Sequence, residues 1–172
     1  MHHLLGEGRS VRDGGQGDLP AIVAIYNSAI PGRLATADTE PVAVADRTAW
    51  FEAHGPHRRP LWVLEAADGE LEGWLSFSDF YGRPAYAGTA ELSIYVQPGR
   101  QGRGVGATLL DLALEAAPGL GLEVLLAFVF GHNEPSLRLF SSRGFERWAH
   151  LPGVARLDGE ARDLVILGRR AG

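Results

Sequence analysis

The pattern of hydrophobic and polar positions along the chain predicts five strands. The segments "LWVLEA" and "LEGWLSFSDF" are joined by a tight turn at Asp68-Gly69, which predicts an antiparallel hairpin. "TAELSIYV" alternates polar and apolar residues and predicts a third strand. "LEVLLAFVF" is almost uniformly apolar, as expected for a strand that is buried on both faces. "ARDLVILG" supplies the last predicted strand.

Four segments carry helical signals. "GDLPAIVAIYNSAI" offers Asp18 as an N-cap and Pro20 in the first turn, and a short amphipathic helix is predicted from about residue 46 to residue 53. "NEPSLRLFSSRGF" predicts a short helix with Pro135 in its first turn and Gly144 as a C-cap. "GVGATLLDLALEAA" places apolar residues on one helical face, namely Val105, Leu109, Leu112, Ala113 and Ala116.

This order of elements predicts one α/β domain over residues 11–170, preceded by a flexible leader over residues 1–10. The 172-residue chain has 45% hydrophobic and 22% charged residues, which is ordinary for a globular domain. Its net charge of −5 disfavours nucleic-acid binding. No apolar run has the length of a membrane span, and "MHHLLGEGRS" lacks the apolar core of a signal peptide. We therefore expect a cytoplasmic protein that binds neither nucleic acid nor membranes.

Two residue types are missing from the chain, and their absence narrows its chemistry. There is no cysteine, and all 16 basic residues are arginines. Disulfides, thiolate nucleophiles and cysteine-based zinc sites are therefore excluded, as are a P-loop lysine and a Schiff-base lysine. No pair of histidines has metal-ligand spacing with carboxylate support, so no metal is predicted.

The glycine-rich stretch "QPGRQGRGVGATLL" lies directly before a predicted helix and has three interpretations. It can be a plain turn. It also fits the dinucleotide fingerprint G-x-G-x-x-A with Gly102, Gly104 and Ala107, although that fingerprint normally follows a fully buried first strand rather than an alternating one in mid-chain. It further fits Gln/Arg-x-x-Gly-x-Gly/Ala with Gln101, Gly104 and Gly106, a pattern whose outward N–H groups and helix N-terminus would bind a pyrophosphate.

The segment behind this stretch favours the third interpretation. "NEPSLRLFSSRGF" has Asn133, Ser136, Gly144 and Phe145 in the places expected for the GNAT acetyltransferase superfamily, which the whole run of elements resembles. The resemblance implies an α/β (α+β) fold with a mixed, mostly antiparallel sheet, splayed at the acetyl-CoA site and covered by helices on both faces. It also implies that acetyl-CoA is the co-substrate and that it lies against Ile94, Tyr95, Val96, Gln101, Gly102, Arg103, Gly104, Val105, Gly106, Ala107 and Asn133.

Upstream segments sharpen the resemblance. "IYNSAI", "TADTEPV", "GWLSFSDFYGRPAYAGTAELSIYV" and "GHNEPSLRLF" together resemble the phosphinothricin N-acetyltransferase group over most of the chain. This implies a homodimeric enzyme that transfers acetyl directly, in a ternary complex, to the primary amine of a small amino-acid analogue such as phosphinothricin, methionine sulfoximine or methionine sulfone.

The same resemblance assigns roles to residues around the third strand. Glu91 matches the catalytic base, since a strand carboxylate at the splay can accept a proton from the ammonium group. Arg83 suits a carboxylate-bearing acceptor, because a guanidinium can bind a carboxylate with two hydrogen bonds. The substrate side is expected at Tyr81, Gly82, Arg83, Tyr86, Glu91, Leu92 and Ser93.

Two positions depart from the family pattern. Phe140 stands where many members carry a tyrosine thought to protonate the departing thiolate, which leaves His132, Tyr95, water or the amine's own proton for that step. Ala37 stands where the herbicide-acting enzymes have an aromatic residue, so phosphinothricin itself is in doubt as the preferred acceptor. Two alternatives stay open: a GNAT enzyme for a polyamine, an aminoglycoside or a protein N-terminus, and a non-catalytic acetyl-CoA-binding sensor.

Overall fold

Eight strands form one sheet in the computed structural model, which describes residues 1–172. In chain order they are β1 (His2–Leu4), β2 (Ser10–Asp13), β3 (Leu61–Glu65), β4 (Leu71–Asp79), β5 (Thr89–Val96), β6 (Val124–Phe130), β7 (Glu146–Leu157) and β8 (Glu160–Arg170). Across the sheet the order is β1-β2-β3-β4-β5-β6-β8-β7. Only β5 and β6 run parallel to each other, so the mixed, mostly antiparallel sheet predicted above is confirmed.

Helices cover both faces of this sheet, as predicted. They are α1 (Leu19–Ala29), α2 (Thr48–Glu52), α3 (Val105–Ala116) and α4 (Glu134–Ser141). On β3, Leu61 and Val63 pack with α1, while Trp62 and Leu64 join the larger core that contains α3. The strand is buried on both faces because its successive side chains alternate between two hydrophobic layers. None of the helices is long and apolar enough to cross a membrane.

The sheet opens between β5 and β6. These strands pair only from Thr89–Val124 to Glu91–Leu126. Beyond that point β5 continues to Val96 along β4, and β6 continues along β8. The two halves of the sheet therefore diverge and leave backbone groups of β5 and β6 without partners on the facing sides.

The N-terminal segment differs from the flexible leader that the sequence predicts. The first strand, β1, pairs with β2 in a hairpin at the edge of the sheet. Arg9, in the connection, donates from Nε to the buried carboxylate of Glu72 at 2.7 Å. The short segment "HHL" has no alternation of its own to indicate a strand, and its pairing comes from the neighbouring strand.

Two further local features differ from what the sequence indicates. The strand β7 was not predicted, since Pro152 and Gly153 interrupt its hydrophobic pattern and its register with β8 shifts at two places. Asp18 does precede α1, but its carboxylate does not cap that helix. It accepts hydrogen bonds from Arg12 and from the backbone N–H of Gly15 instead.

Candidate active site

A cavity of about 460 Å³ lies where β5 and β6 diverge, and it is lined mainly by apolar side chains. Phe128 and Phe130 of β6 form one wall, and Phe140 of α4 forms part of another. Glu91 of β5 is the only glutamate in the lining. The divergence of the strands thus brings the carboxylate of Glu91 into a largely apolar chamber, which Asp38 also lines.

Glu91 is half-buried and its carboxylate makes no hydrogen bond or ion pair with the protein. Burial without a compensating partner raises the pKa of Glu91 above its ordinary value. Leu92 and Ser93, the next two residues of the strand, also line the cavity, as the sequence predicts. A carboxylate in this state can accept a proton more readily than an exposed one, which suits a general base.

A second cavity of about 650 Å³ continues from the first along the other side of the opening. The two share Ile94 and Tyr95 of β5 as well as Asn133 and Phe140. This groove runs past Val96 to the glycine-rich loop and the start of α3. It is lined by every residue predicted to bind the cofactor except Arg103.

The glycine-rich loop has backbone conformations that favour glycine. Gly99, Gly102 and Gly104 have φ values of +82°, +73° and +82°, and Gly104 directly precedes α3. A Cβ at Gly106 would lie 3.2 Å from Leu139 and 3.7 Å from Ile94, across the groove. The Oε1 atom of Gln101 accepts a hydrogen bond from the backbone N–H of Gly99 at 2.8 Å and so closes the loop.

These features fit a pyrophosphate attached to an extended arm. The first turn of α3 has free backbone N–H groups and the positive end of the helix dipole. Arg103 is exposed and forms no ion pair, so its charge is available to an anion at the rim. Arg100 differs, because it is already held by Glu72 at 3.3 Å. The unpaired edge of β5 offers backbone groups to the amides of a pantetheine arm.

Residues 33–38, here called the strap, cross the opening and are held by side chains from several elements. Nε2 of His132 donates to the carbonyl of Arg33 at 2.8 Å, and Nδ2 of Asn133 donates to that of Leu34 at 3.0 Å. The hydroxyl of Tyr95 donates to the carbonyl of Ala35 at 3.0 Å. The strap separates the cavity from solvent on this side.

The strap ends in a polar cluster beside the cavity. The Tyr26 hydroxyl donates to Asp38 at 2.5 Å and lies 2.5 Å from the Thr36 hydroxyl. Arg47 donates to the same Asp38 oxygen at 3.0 Å, and its guanidinium lies 4.6 Å from the centre of the Tyr26 ring. Burial, together with the Asp38 carboxylate, raises the pKa of Tyr26, so this phenol stays protonated.

The residues expected near the leaving group are mostly occupied with other contacts. Phe140 is buried against Phe145 and carries no proton to give, as predicted. Asn133 caps α4 by accepting from the N–H of Ser136 at 3.2 Å. Burial raises the pKa of Tyr95 well above its usual range, and its hydroxyl proton is used by the strap.

The resemblance assigns the loop between β4 and β5 to the substrate side, and in this structure the loop lies outside the Glu91 cavity. Tyr81, Gly82, Arg83 and Tyr86 are all exposed and do not line the Glu91 cavity. Instead Gly82, Arg83 and Tyr86 surround a separate small cavity with Arg58. Tyr81 and Gly82 have φ values of +59° and +60°, which turn the loop outward immediately after β4.

Sequence reasoning missed several residues that the structure brings to the site. Half of them are in the strap or on the face of β4 beside Glu91. The strap lies within "TADTEPV" and its flanks, and Trp74, Ser76 and Ser78 follow the alternation of β4. The missed residues are Tyr26, Leu34, Ala35, Asp38, Arg47, Ser76, Ser78, Phe128, Phe130 and Ser136.

Comparisons with known proteins agree with this geometry. Residues 22–145 match the model of the acetyltransferase (GNAT) family. The chain is 55% identical over 152 residues to a Bacillus subtilis (strain 168) protein named "Putative phosphinothricin acetyltransferase YwnH", covering 88% of this chain and 93% of the relative. It is 37% identical over 158 residues to an L-methionine sulfoximine/L-methionine sulfone acetyltransferase from Pseudomonas paraeruginosa, covering 92% of each chain.

The fold is similar to a crystal structure solved with acetyl-CoA. That structure is a GNAT superfamily phosphinothricin acetyltransferase from Sinorhizobium meliloti, with a TM-score of 0.90 and 27% sequence identity. The comparison covers 96% of this chain and 89% of the other.

Proposed function

Because the chain belongs to the acetyltransferase (GNAT) family, with acetyl-CoA as its co-substrate, we propose that it acetylates the primary amine of a small amino-acid analogue. The proposed acceptors are of the phosphinothricin, methionine sulfoximine or methionine sulfone type. The names of the relatives support this class of acceptor. The observation that carries the proposal is Glu91, an unpaired and half-buried carboxylate in the cavity that continues into the groove at the glycine-rich loop.

Acetyl-CoA supplies an acetyl group activated as a thioester. We place it in the groove along Ile94–Val96, with its pyrophosphate at Gln101–Ala107 and Asn133 beside its arm. The acceptor amine would enter from the side of Glu91 and Ser93. Because the chain has no cysteine and no lysine, direct transfer with both substrates bound is the simplest route.

Proton balance defines the role of Glu91. In the transfer the amine nitrogen bonds to the acetyl carbon while the carbon–sulfur bond breaks. An ammonium acceptor thereby gives up two protons, one to solvent and one to sulfur. Glu91 accepts the first of these, and the raised pKa makes it a stronger base than an exposed glutamate. Phe140 cannot donate a proton, and the hydroxyl of Tyr95 is engaged by the strap. We therefore propose that the proton taken up by the departing sulfur comes from the amine itself.

An acceptor panel tests the substrate class. Release of coenzyme A would be followed with phosphinothricin, methionine sulfoximine, methionine sulfone, spermidine, an aminoglycoside and a peptide with a free N-terminus. We expect turnover with the three amino-acid analogues. Turnover with spermidine, the aminoglycoside or the peptide alone would contradict the proposal. Initial-rate plots at varied concentrations of both substrates should intersect, since parallel lines would indicate a covalent enzyme intermediate.

Replacement of Glu91 tests whether it is the base. We expect Glu91→Gln to lower kcat by about 10²- to 10⁴-fold, the usual contribution of a general base. Binding of acetyl-CoA, measured by calorimetry, should stay unchanged, because Glu91 does not line the groove. Glu115→Gln, on the exposed side of α3, is the matched control and should change neither quantity. An unchanged kcat in Glu91→Gln would remove Glu91 from this role.

The expected homodimer stays a prediction. It is supported by exposed aromatic side chains in the loop after β4, where Tyr81 is 76% and Tyr86 is 43% exposed. Light scattering during size-exclusion chromatography would decide between one and two copies.

A further inference from the structure

A third cavity, of about 170 Å³, lies on the sheet face beside Glu91 and has no assigned role. It shares Tyr26, Ser93 and Tyr95 with the chamber that holds Glu91, so the two are adjacent. Its walls combine aromatic rings with hydroxyl groups and one guanidinium. This composition differs from that of the apolar chamber and calls for a polar occupant.

The hydroxyls of the cavity come from two neighbouring strands. In the register of β4 and β5, Ser76 is opposite Ser93, and Ser78 is opposite Glu91. Directly opposed residues have Cβ atoms about 4.5–5.5 Å apart, so these four side chains form one patch. Ser76 is only 1% exposed, yet none of the three serine hydroxyls donates or accepts a hydrogen bond within the protein. Ser78 and Ser93 are partly exposed, and hydroxyls that line a cavity without a partner in the protein can donate to a ligand that accepts hydrogen bonds.

The guanidinium of Arg47 faces the same cavity from the helical side. Its position is set by the Tyr26 ring at 4.6 Å and the Trp50 ring at 5.8 Å. Only its Nη2 atom is engaged, by Asp38 at 3.0 Å, which leaves Nε and Nη1 free to donate. A guanidinium with free donors opposite serine hydroxyls recognises an anion of the size of a carboxylate.

We propose that this cavity is the subsite for the α-carboxylate of the acceptor amino acid, bound by Arg47, Ser76 and Ser93. The inference rests on the function proposed above and specifies which part of the acceptor is recognised, and where. An α-amino acid carries its amine and carboxylate on one carbon atom, which matches the adjacency of Glu91 and the serine patch. The side chain of the acceptor would then occupy the apolar chamber lined by Phe128 and Phe130.

This assignment replaces the expectation that Arg83 binds the carboxylate. Arg83 is exposed and lies outside the chamber, whereas Arg47 lines the cavity next to it. The subsite would also favour binding of amino-acid acceptors over binding of simple amines. A polyamine would leave the guanidinium and the hydroxyls of the subsite without a partner.

A pair of acceptors that differ only in this group tests the subsite. We would measure kcat/KM for L-methionine sulfone and for its carboxamide in the wild type and in Arg47→Gln, Ser76→Ala and Ser93→Ala. Loss of charge-assisted hydrogen bonds should lower kcat/KM for the acid by about 10- to 100-fold in Arg47→Gln. Each serine variant should lower it about 3- to 10-fold. The carboxamide, which lacks the charge, should lose less than the acid in each variant, and the KM for acetyl-CoA should change by less than about twofold. Arg143→Gln, which removes an arginine paired with Asp111 far from the cavity, is the matched control and should change nothing.

The outcomes separate the two proposals. If wild-type enzyme acetylates spermidine but neither methionine sulfone nor its amide, the proposed function fails and the subsite fails with it. If the acid is a substrate and its preference over the amide is the same in the wild type, Arg47→Gln and Ser93→Ala, the subsite alone is wrong. An equal loss for acid and amide would show that Arg47 only supports the strap. If Arg47→Gln does not fold, the serine variants decide, because removing one hydroxyl leaves the packing intact.

Discussion

At the scale of single residues, the most consequential feature is a carboxylate without a partner. Several other acidic groups in the protein are held by arginines, as Glu72 is by Arg9 and Asp79 by Arg58 and Arg59. Glu91 has no such contact and faces an apolar chamber. Burial of an unpaired charge destabilises the folded state, so in its proposed role as the base Glu91 lowers stability while it raises activity.

The pH dependence of the rate should report this environment. Glu91 must be ionised to accept a proton, and burial raises its pKa. As the pH falls through that raised value, kcat/KM should decline. The acid limb of the profile should therefore lie above the pH at which an exposed glutamate titrates. The measurement is kcat/KM for methionine sulfone between pH 4 and 9, with Glu91→Gln as the reference that lacks this limb. An acid limb at the ordinary glutamate value would contradict the environment described here.

The stability of the fold should respond to the same substitution in the opposite direction. Because the pKa of Glu91 is raised by folding, its ionisation opposes folding at neutral pH. The penalty is absent below the pKa of the unfolded state, about 4.3, where the group is protonated in both states. Glu91→Gln should thus raise Tm at pH 7, and a gain of about 1 kcal/mol corresponds to about 2–4 °C. Thermal scans at pH 7 and pH 4 should show the gain only at pH 7; a decrease at pH 7 would refute this account.

Tyr95 provides a test of the leaving-group step. Its hydroxyl proton is donated to the carbonyl of Ala35. Tyr95→Phe should therefore loosen the strap, but it should not remove the group that protonates the leaving thiolate. We expect kcat to fall by less than about tenfold, compared with the 10²- to 10⁴-fold expected for a lost acid catalyst. Steady-state kinetics at saturating acetyl-CoA would measure this. A larger loss of kcat, accompanied by a changed basic limb of the pH profile, would make Tyr95 the donor.

At the scale of elements, the backbone conformation of the glycine-rich loop sets the direction of the N–H groups that we expect to bind the pyrophosphate. Gly104 has a φ of +82° and no atom within 4 Å of a Cβ placed on it, so an alanine there is strained but meets no clash. The strain, about 1 kcal/mol, should turn the N–H groups of the loop away from the pyrophosphate. We expect Gly104→Ala to raise the KM for acetyl-CoA by about fivefold or more.

Gly69 offers a matched control for that variant. It has a φ of +86°, equally open surroundings, and a place in the turn between β3 and β4, away from the groove. Gly69→Ala should lower Tm by a similar amount and leave the KM for acetyl-CoA unchanged. If both variants affected KM equally, the loop geometry would not be specific to the cofactor.

The elements with strong local signals were predictable from the sequence, whereas the placement of loops was not. Hydrophobic periodicity predicts the core strands and α3, and the glycine spacing predicts the loop before α3. By contrast β7 contains Pro152 and Gly153, and it is a strand because β8 pairs with it. The strap is held by side chains nearly 100 residues away, such as His132 and Asn133. The lining of the smaller cavity could not be predicted for the same reason, since Arg47, just before α2, and Ser76 of β4 come together only in the folded protein.

At the scale of the whole molecule, the strap connects parts of the chain that meet at the site. Its backbone is held by α4 through Asn133 and by β5 through Tyr95. Nε of Arg33 also donates to Asp158, in the turn between β7 and β8, at 2.9 Å. Both halves of the opened sheet are therefore linked by one loop. A ligand in the groove would contact β5, α3, α4 and the strap at once.

Because acetyl-CoA would contact all of these elements, its binding should stabilise the fold as a unit. A ligand present at about 100 times its Kd adds about 2.7 kcal/mol to the free energy of unfolding. For a domain of this size that corresponds to a rise in Tm of about 5–11 °C. Thermal unfolding with acetyl-CoA should show one cooperative transition shifted by that amount. NAD at the same concentration should produce no shift, and Gly104→Ala should need a higher concentration of acetyl-CoA for the same effect. A shift with NAD would instead favour the dinucleotide interpretation of the loop, since both ligands present a pyrophosphate but only acetyl-CoA has an arm that fits between the separated strands.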